Sequence, residues 1–313
     1  KDLTWTTPKA MKTHILGKKD NFRDLLRKVN NAGGQNLILV NTAHNDIFQK
    51  YQQFLNRGLT KLVVEDNEED HQGAIVLVLT NETDVQQVQV QASTTISKKS
   101  LTNVVGILPG NSKADEIVMF SAHYDHLGTT PDGKQIYNGA DDDASGTTAV
   151  INLAEHFAKQ GNNARTLMFA AFTAEEIGGY GSRYLSQQLN PDDVVAMINI
   201  EMIGKPSKFG AGTLWMTGME RSNLGELLNK SLAPHNMEIF TDPYPEQGLF
   251  YRSDNATLAR LGVPAHSFSS TQLDKDQHYH QTSDDISSLD LNSMHKVIES
   301  LSIASKDIVN GKI

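Results

Sequence analysis

The chain has 313 residues, with 38% apolar and 21% charged residues, a net charge of −9 and no cysteine. That length allows one large domain or a domain with an insertion, and the composition is that of a soluble globular protein with no apolar run approaching the roughly 18 to 20 residues of a membrane span. The acidic balance, without clusters of Lys and Arg, argues against nucleic acid as a partner, and the absence of Cys leaves imidazole and carboxylate as the strong metal ligands. A first residue of Lys1 rather than Met gives the expectation of a processed N-terminus and an extracytoplasmic protein, secreted or periplasmic. Nothing in the pattern indicates an oligomeric state.

Residues 1–84 read as an accessory α/β segment. Asp20 is placed to cap a helix with Phe22, Leu25, Leu26 and Val29 on one face; Asn36–Val40 reads as a strand and Ile47–Leu55 as a second amphipathic helix. Strands at Lys61–Val64 and Ala74–Leu79 follow, separated by an acidic loop. His44 and His71 stand alone, as solvated loop histidines do, so no ligand set is expected here. From Val85 the pattern changes to alternation over Val88–Gln91, a turn at Ser97–Ser100 and a partner strand at Asn103–Leu108. This places a domain boundary near residue 84, with 85–313 as the second domain.

In the second domain the apolar run Glu116–Phe120 leads into His123, Tyr124, Asp125 and His126. Alternation along a strand puts His123 and Asp125 on one face, where an imidazole can bind a metal through one nitrogen while a carboxylate holds its other N–H; a hydrogen-bonded surface pair is the alternative. Asp141, Asp142 and Asp143 come next. Adjacent carboxylates repel, so such a cluster beside a buried strand calls for a cation, the alternative being a solvated acidic turn. The small residues on either side, Gly139-Ala140 and Ala144-Ser145-Gly146, suit a tight turn feeding a helix over Thr147–Lys159. Strands at Arg165–Phe172 and Val194–Ile200 end near Glu175-Glu176 and at Glu201, and a further strand at Gly262–Phe268 precedes a loop with His278 and His280 and a closing helix from about Asn292 to Val309. Strands that each deliver carboxylate or imidazole at their C-terminal ends converge those groups on one edge of a parallel sheet. The predicted fold is therefore α/β, with a mixed, mostly parallel central sheet flanked by helices. Residue chemistry leaves open which of Glu175 and Glu176 is ligand and which is base. The aromatic, Pro- and Gly-rich loop Asp242–Tyr251 reads equally as a wall for a substrate side chain or as a packed surface loop.

The ordered set His123-Tyr124-Asp125, Gly139–Gly146, Glu175-Glu176, Glu201-Met202, Ser253-Asp254 and Tyr279-His280 resembles the two-zinc aminopeptidases, co-catalytic zinc exopeptidases with a phosphorylase/hydrolase-like α/β fold. The resemblance covers about residues 85–313. It implies removal of N-terminal residues from peptides, two zinc ions per chain held by His123, Glu176, Glu201 and His280 with Asp141 bridging both, Asp125 orienting His123, and Glu175 as general base. It also implies a cis peptide bond between Asp141 and Asp142, and residues 1–84 fall where many relatives carry an inserted protease-associated module, which their helix and strand pattern loosely resembles; scaffold or a dimer contact is the alternative. Two departures stand out: Glu201 where most members carry Asp, and Ser253-Asp254-Asn255 where many have Ser-Asp-His. A single-zinc glutaminyl cyclase and a non-catalytic binding module on the same fold are the alternatives, and the filled ligand positions favour the peptidase.

Overall fold

The structure, a computed structural model, describes residues 2–5, 11–56, 60, 62, 73–85, 88–93, 95 and 97–312. It divides into two compact units, Lys1–Lys99 and Ser100–Ile313.

In the first unit, β1 (Asp2–Trp5) is followed by β2 (Lys12–Leu16), α1 (Phe22–Ala32), β3 (Gln35–Val40), α2 (Asn45–Asn56), β4 (Ala74–Leu79) and β5 (Val90–Ser93). Strands β2, β3 and β4 form a parallel sheet, and Leu16, Ile38 and Val40 pack with Phe22 and Val29 of α1. The cap of α1 is Asn21, whose side-chain oxygen accepts the N–H groups of Arg23 and Asp24; Asp20, placed there by the sequence pattern, instead accepts the N–H of Gly17 at 2.7 Å. The expected strand at Lys61–Val64 lies outside the described residues apart from Leu62, as does His71. Strand β5 pairs antiparallel with β1 rather than with a segment at 103–108, which is why residues 85–99 group with the first unit and the division falls at 99.

The second unit carries a seven-stranded sheet. In chain order it comprises β6 (Val104–Leu108), β7 (Lys113–His123), the short hairpin β8 (Gly128–Thr129) and β9 (Ile136–Tyr137), α3 (Gly146–Gln160), β10 (Arg165–Phe172), α4 (Tyr180–Ser186) and β11 (Val194–Ile200). Then come β12 (Leu214–Met216), α5 (Leu224–Leu232), β13 (Ile239–Thr241), α6 (Asn255–Ala259), β14 (Ala265–Ser269) and α7 (Leu291–Val309). The sheet order is β13-β12-β14-β11-β7-β10-β6; the four central strands are parallel, while β6 and β12 run antiparallel to their inner neighbours. The mixed, mostly parallel sheet flanked by helices is as the sequence predicts.

Why the central strands read as unbroken apolar runs is visible in the core. Val118 and Phe120 of β7, Leu167 and Phe169 of β10, and Ile198 and Ile200 of β11 face α3, α5 and α7, while Met119, Met168, Phe172 and Met197 face the side that carries α4 and α6. A strand covered on both faces has no solvent side on which to place polar residues. Polar groups are therefore concentrated at strand ends, and β7, β10 and β11 all end on the same edge. Among the described residues no helix is long and apolar enough to cross a membrane.

Candidate metal centre

His123 is the last residue of β7, and its ring is 1% exposed. Its Nδ1 lies 3.0 Å from the main-chain carbonyl of Asp125, an acceptor only, so Nδ1 carries a proton and Nε2 is left facing Asp142 Oδ1 at 3.2 Å and Glu201 Oε1 at 3.4 Å. Asp125 thus orients His123 through its backbone. Its carboxylate, 3.7 Å from Nδ1, accepts instead the N–H groups of Glu175 at 3.0 Å and Glu176 at 3.4 Å, which ties the turn after β10 to the end of β7.

Of the three consecutive aspartates, the outer two are held by the protein itself. Asp143 accepts the N–H groups of His123, Gly146 and Met202 at 3.1–3.3 Å, stapling the ends of β7 and β11 to the start of α3. Asp141 accepts the N–H of Gly204 and the hydroxyl of Thr271, both at 2.7 Å, and lies 3.3 Å from the Lys205 ammonium. Only Asp142 turns its carboxylate toward imidazoles, with Oδ1 by His123 and Oδ2 3.2 Å from His280 Nε2. The position expected for Asp141 is therefore occupied by Asp142, and the cis peptide bond lies between Asp142 and Asp143 rather than between Asp141 and Asp142. The backbone kinks here, with non-helical φ/ψ at Asp142 and Asp143, so successive side chains leave the chain in unrelated directions.

Two donor groups result, sharing Asp142: His123, Asp142 and Glu201 on one side, and His126, Asp142 and Glu176 on the other, each set with its donor atoms within 4.8 Å of one another. Glu176 presents Oε1 to His126 Nδ1 at 2.7 Å and Oε2 to His280 Nε2 at 3.1 Å. His126 went unassigned in the sequence, although its spacing of three from His123 was a signal. Glu201 is steadied by the Ser253 hydroxyl at 2.6 Å, and Ser253 in turn accepts from Asn199. Asn255, the departure from Ser-Asp-His, is fully buried and hydrogen-bonds the carbonyls of Phe250 and Ala265 and the Ser267 hydroxyl, so it serves the scaffold. The aromatic loop is largely engaged with the protein: Tyr244 donates to Asp274 and packs edge-on to Trp215, and Phe250 lies against His266.

The arrangement calls for positive charge. His123 Nε2, both nitrogens of His126 and Glu176 Oε1 are buried without a hydrogen-bond partner, although carboxylate or imidazole atoms lie close by. A neutral His123 would point a lone pair at two carboxylates, which is unfavourable unless a cation lies between them. Burial opposes charging of His123, yet Glu201 and Asp142 outweigh it and hold the imidazole pKa well above its ordinary value. Burial pushes Glu175 up to about 9, helped by Glu201 and opposed by His123. Imidazole and carboxylate donors in two sets with one shared carboxylate fit a pair of divalent transition-metal ions.

Solved structures with this fold include a zinc aminopeptidase from Bacillus subtilis, with a TM-score of 0.59 and 17% identity, covering 98% of this chain and 75% of that one. The probable zinc metalloprotease of Pyrenophora teres f. teres is 38% identical over 167 residues, which is 52% of this chain and 31% of that protein. Leucine aminopeptidase 1 of Ajellomyces dermatitidis is 28% identical over 202 residues, 61% of this chain and 52% of that protein. The chain thus spans between about a third and about half of the length of these two curated relatives. It belongs to peptidase family M28, whose model matches residues 103–303.

Proposed function

We propose that the chain is a zinc-dependent aminopeptidase that removes N-terminal residues from peptides at a centre of two zinc ions. The observation that carries this reading is the sharing of Asp142 between two donor sets whose buried imidazole nitrogens have no other partner. His123, Asp142 and Glu201 would hold one ion, and Asp142, Glu176 and His280 the other, with His126 beside Glu176. When bound, the ions supply Lewis acidity that polarises a carbonyl and brings the pKa of water to near neutrality.

Glu175 is the general base. Its neighbour Glu176 is committed to imidazoles, whereas Glu175, carried by the same Asp125-bound turn, makes no such contact. In this role it takes the proton of the attacking water and delivers it to the leaving amine. Positive charge held at the ligands would oppose the upward shift of Glu175 and favour the ionised form a base needs. His280, 34% exposed, is the most open donor and marks the side from which substrate approaches.

A panel of amino-acid nitroanilides with added zinc, together with metal analysis, tests the reading. Hydrolysis with two ions per chain is expected. One ion per chain with cyclisation of N-terminal glutamine would establish the cyclase instead, and two ions with no turnover on any substrate would point to a binding module.

A further inference from the structure

Lys205 follows by four residues the ligand Glu201, which lies just past the end of β11, and is not among the groups that the aminopeptidase reading uses. Its side chain is 12% exposed, and its ammonium lies 2.8 Å from Asp276 Oδ1, 3.3 Å from Asp141 Oδ2 and 3.8 Å from Asp284 Oδ1. Each of these carboxylates grips a segment that carries or adjoins a proposed ligand. Asp284 accepts the N–H groups of Asp141 and Asp142 at 3.1 Å. Asp276 accepts the N–H groups of Tyr279 at 2.8 Å and His278 at 3.3 Å, directly before His280. Asp141 accepts the N–H of Gly204, beside Lys205 itself.

Two of these segments also need holding. His280 has φ +57 and Met202, next to Glu201, has φ +53, left-handed conformations that non-glycine residues keep only where the surroundings impose them. Three carboxylates this close repel one another, and without an ammonium between them Asp276, which holds the loop before His280, loses its tie to Asp141, leaving the bonds from Asp284 to hold the Asp141-Asp142 turn.

We propose that Lys205 is a positioning residue: it joins the His280 loop, the Asp142 turn and the segment after Glu201 into one rigid seat, and thereby sets the affinity for the ion held by Asp142, Glu176 and His280. This rests on the metal-site reading above. The test uses the full chain, with zinc affinity measured by competition against a fluorescent chelator, cobalt spectra of each site, and melting of the metal-free protein. Lys205→Met is expected to weaken the ion held by Asp142, Glu176 and His280 by about 10- to 100-fold, as loss of outer-sphere support typically does, with kcat reduced more than KM changes; weakening of the other ion alone overturns the proposal. Asp276→Asn keeps the acceptor for the loop amides but removes the charge, so it should weaken the same ion even if Lys205→Met folds poorly. Lys205→Arg, which keeps the charge, should recover part of the loss. Parental affinity for both ions in Lys205→Met and Asp276→Asn overturns the proposal, and so does equal weakening of both ions. His280→Ala separates the two levels. If it retains both ions at parental affinity, the metal-site reading itself fails; if it loses one while Lys205→Met loses none, only the role of Lys205 falls.

Discussion

Asp142 is set apart from Asp141 and Asp143 by what its carboxylate does not touch: it accepts no backbone amide and faces only imidazoles, whereas its neighbours are saturated by amides, Thr271 and Lys205. Asp142→Asn is therefore expected to lose both ions, as read by metal analysis of the purified protein. Asp141→Asn should still bind two ions at saturating zinc but melt at lower temperature, and a zinc-depleted Asp141→Asn at saturation would return the bridging role to Asp141. The neighbouring glutamates separate in the same way. Glu175→Gln keeps size and hydrogen bonding, so metal content should persist while kcat falls by roughly 10² to 10⁴, the usual worth of a general base. Glu176→Gln, which disturbs the contacts with His126 and His280, should lose metal. The reverse pattern would exchange the two roles.

At the scale of elements, the turn between β9 and α3 explains the small residues that bracket the aspartates. Gly139 has φ +62, and a Cβ there would lie 2.3 Å from the Asp142 carbonyl oxygen and 2.6 Å from the His126 ring. Gly146 opens α3 with no room either: a Cβ would meet the Ile200 carbonyl oxygen at 2.2 Å and the Asp143 carboxylate at 2.5 Å. The glycines let the start of α3 lie against the end of β11, where Asp143 joins β7, β11 and α3. Gly146→Ala forces this junction apart, and a stability loss of about 1–3 kcal/mol or more is expected from overpacking of that kind. Chemical denaturation measures it, and an unchanged midpoint would show that the junction yields. Metal binding should weaken along with it, because Asp142 lies between the two constrained ends.

For the whole molecule the charge buried at one sheet edge governs the response to pH. Burial pushes Asp141 up to about 6, Asp254 up to about 7 and Glu175 up to about 9. Their unfolded values are near 4, so the folded protein binds more protons than the unfolded one. Stability from these groups is present below about pH 4 and is lost as pH rises through their folded values. The metal-free protein should thus melt at progressively lower temperature from about pH 5 to about pH 9. Saturating zinc should flatten or reverse that trend, since deprotonated ligands bind metal better and the ions replace the missing protons. A metal-free melting temperature that rises across the window would contradict the account. All the site residues and the two cores around the seven-stranded sheet lie within residues 100–313, while the first unit has cores of its own. A fragment of residues 100–313 is accordingly expected to fold and bind two ions; an unfolded fragment by circular dichroism would show that the units depend on each other.

The strands β7, β10 and β11 were legible in the amino-acid sequence because a strand buried on both faces must be apolar throughout, and the break to His123, Glu175-Glu176 and Glu201 then marks the strand ends. Helix α3 was legible from its apolar periodicity, and the small residues around Asp141–Asp143 announced a tight turn. Which aspartate faces the imidazoles was not legible, since three identical carboxylates in a row differ only through the backbone kink that aims them, and amides from Met202 and Gly204 just past β11, some sixty residues away in sequence, claim the outer two. Strand partners were hidden for a similar reason. Alternation identifies β5 and β6 as strands, but pairing with β1 and β10 depends on which edges the rest of the chain leaves free. Lys205 is the extreme case: in sequence it is one lysine after a strand, and only the tertiary fold brings Asp141, Asp276 and Asp284 around it, because attraction between charges depends on distance in space and is indifferent to separation along the chain.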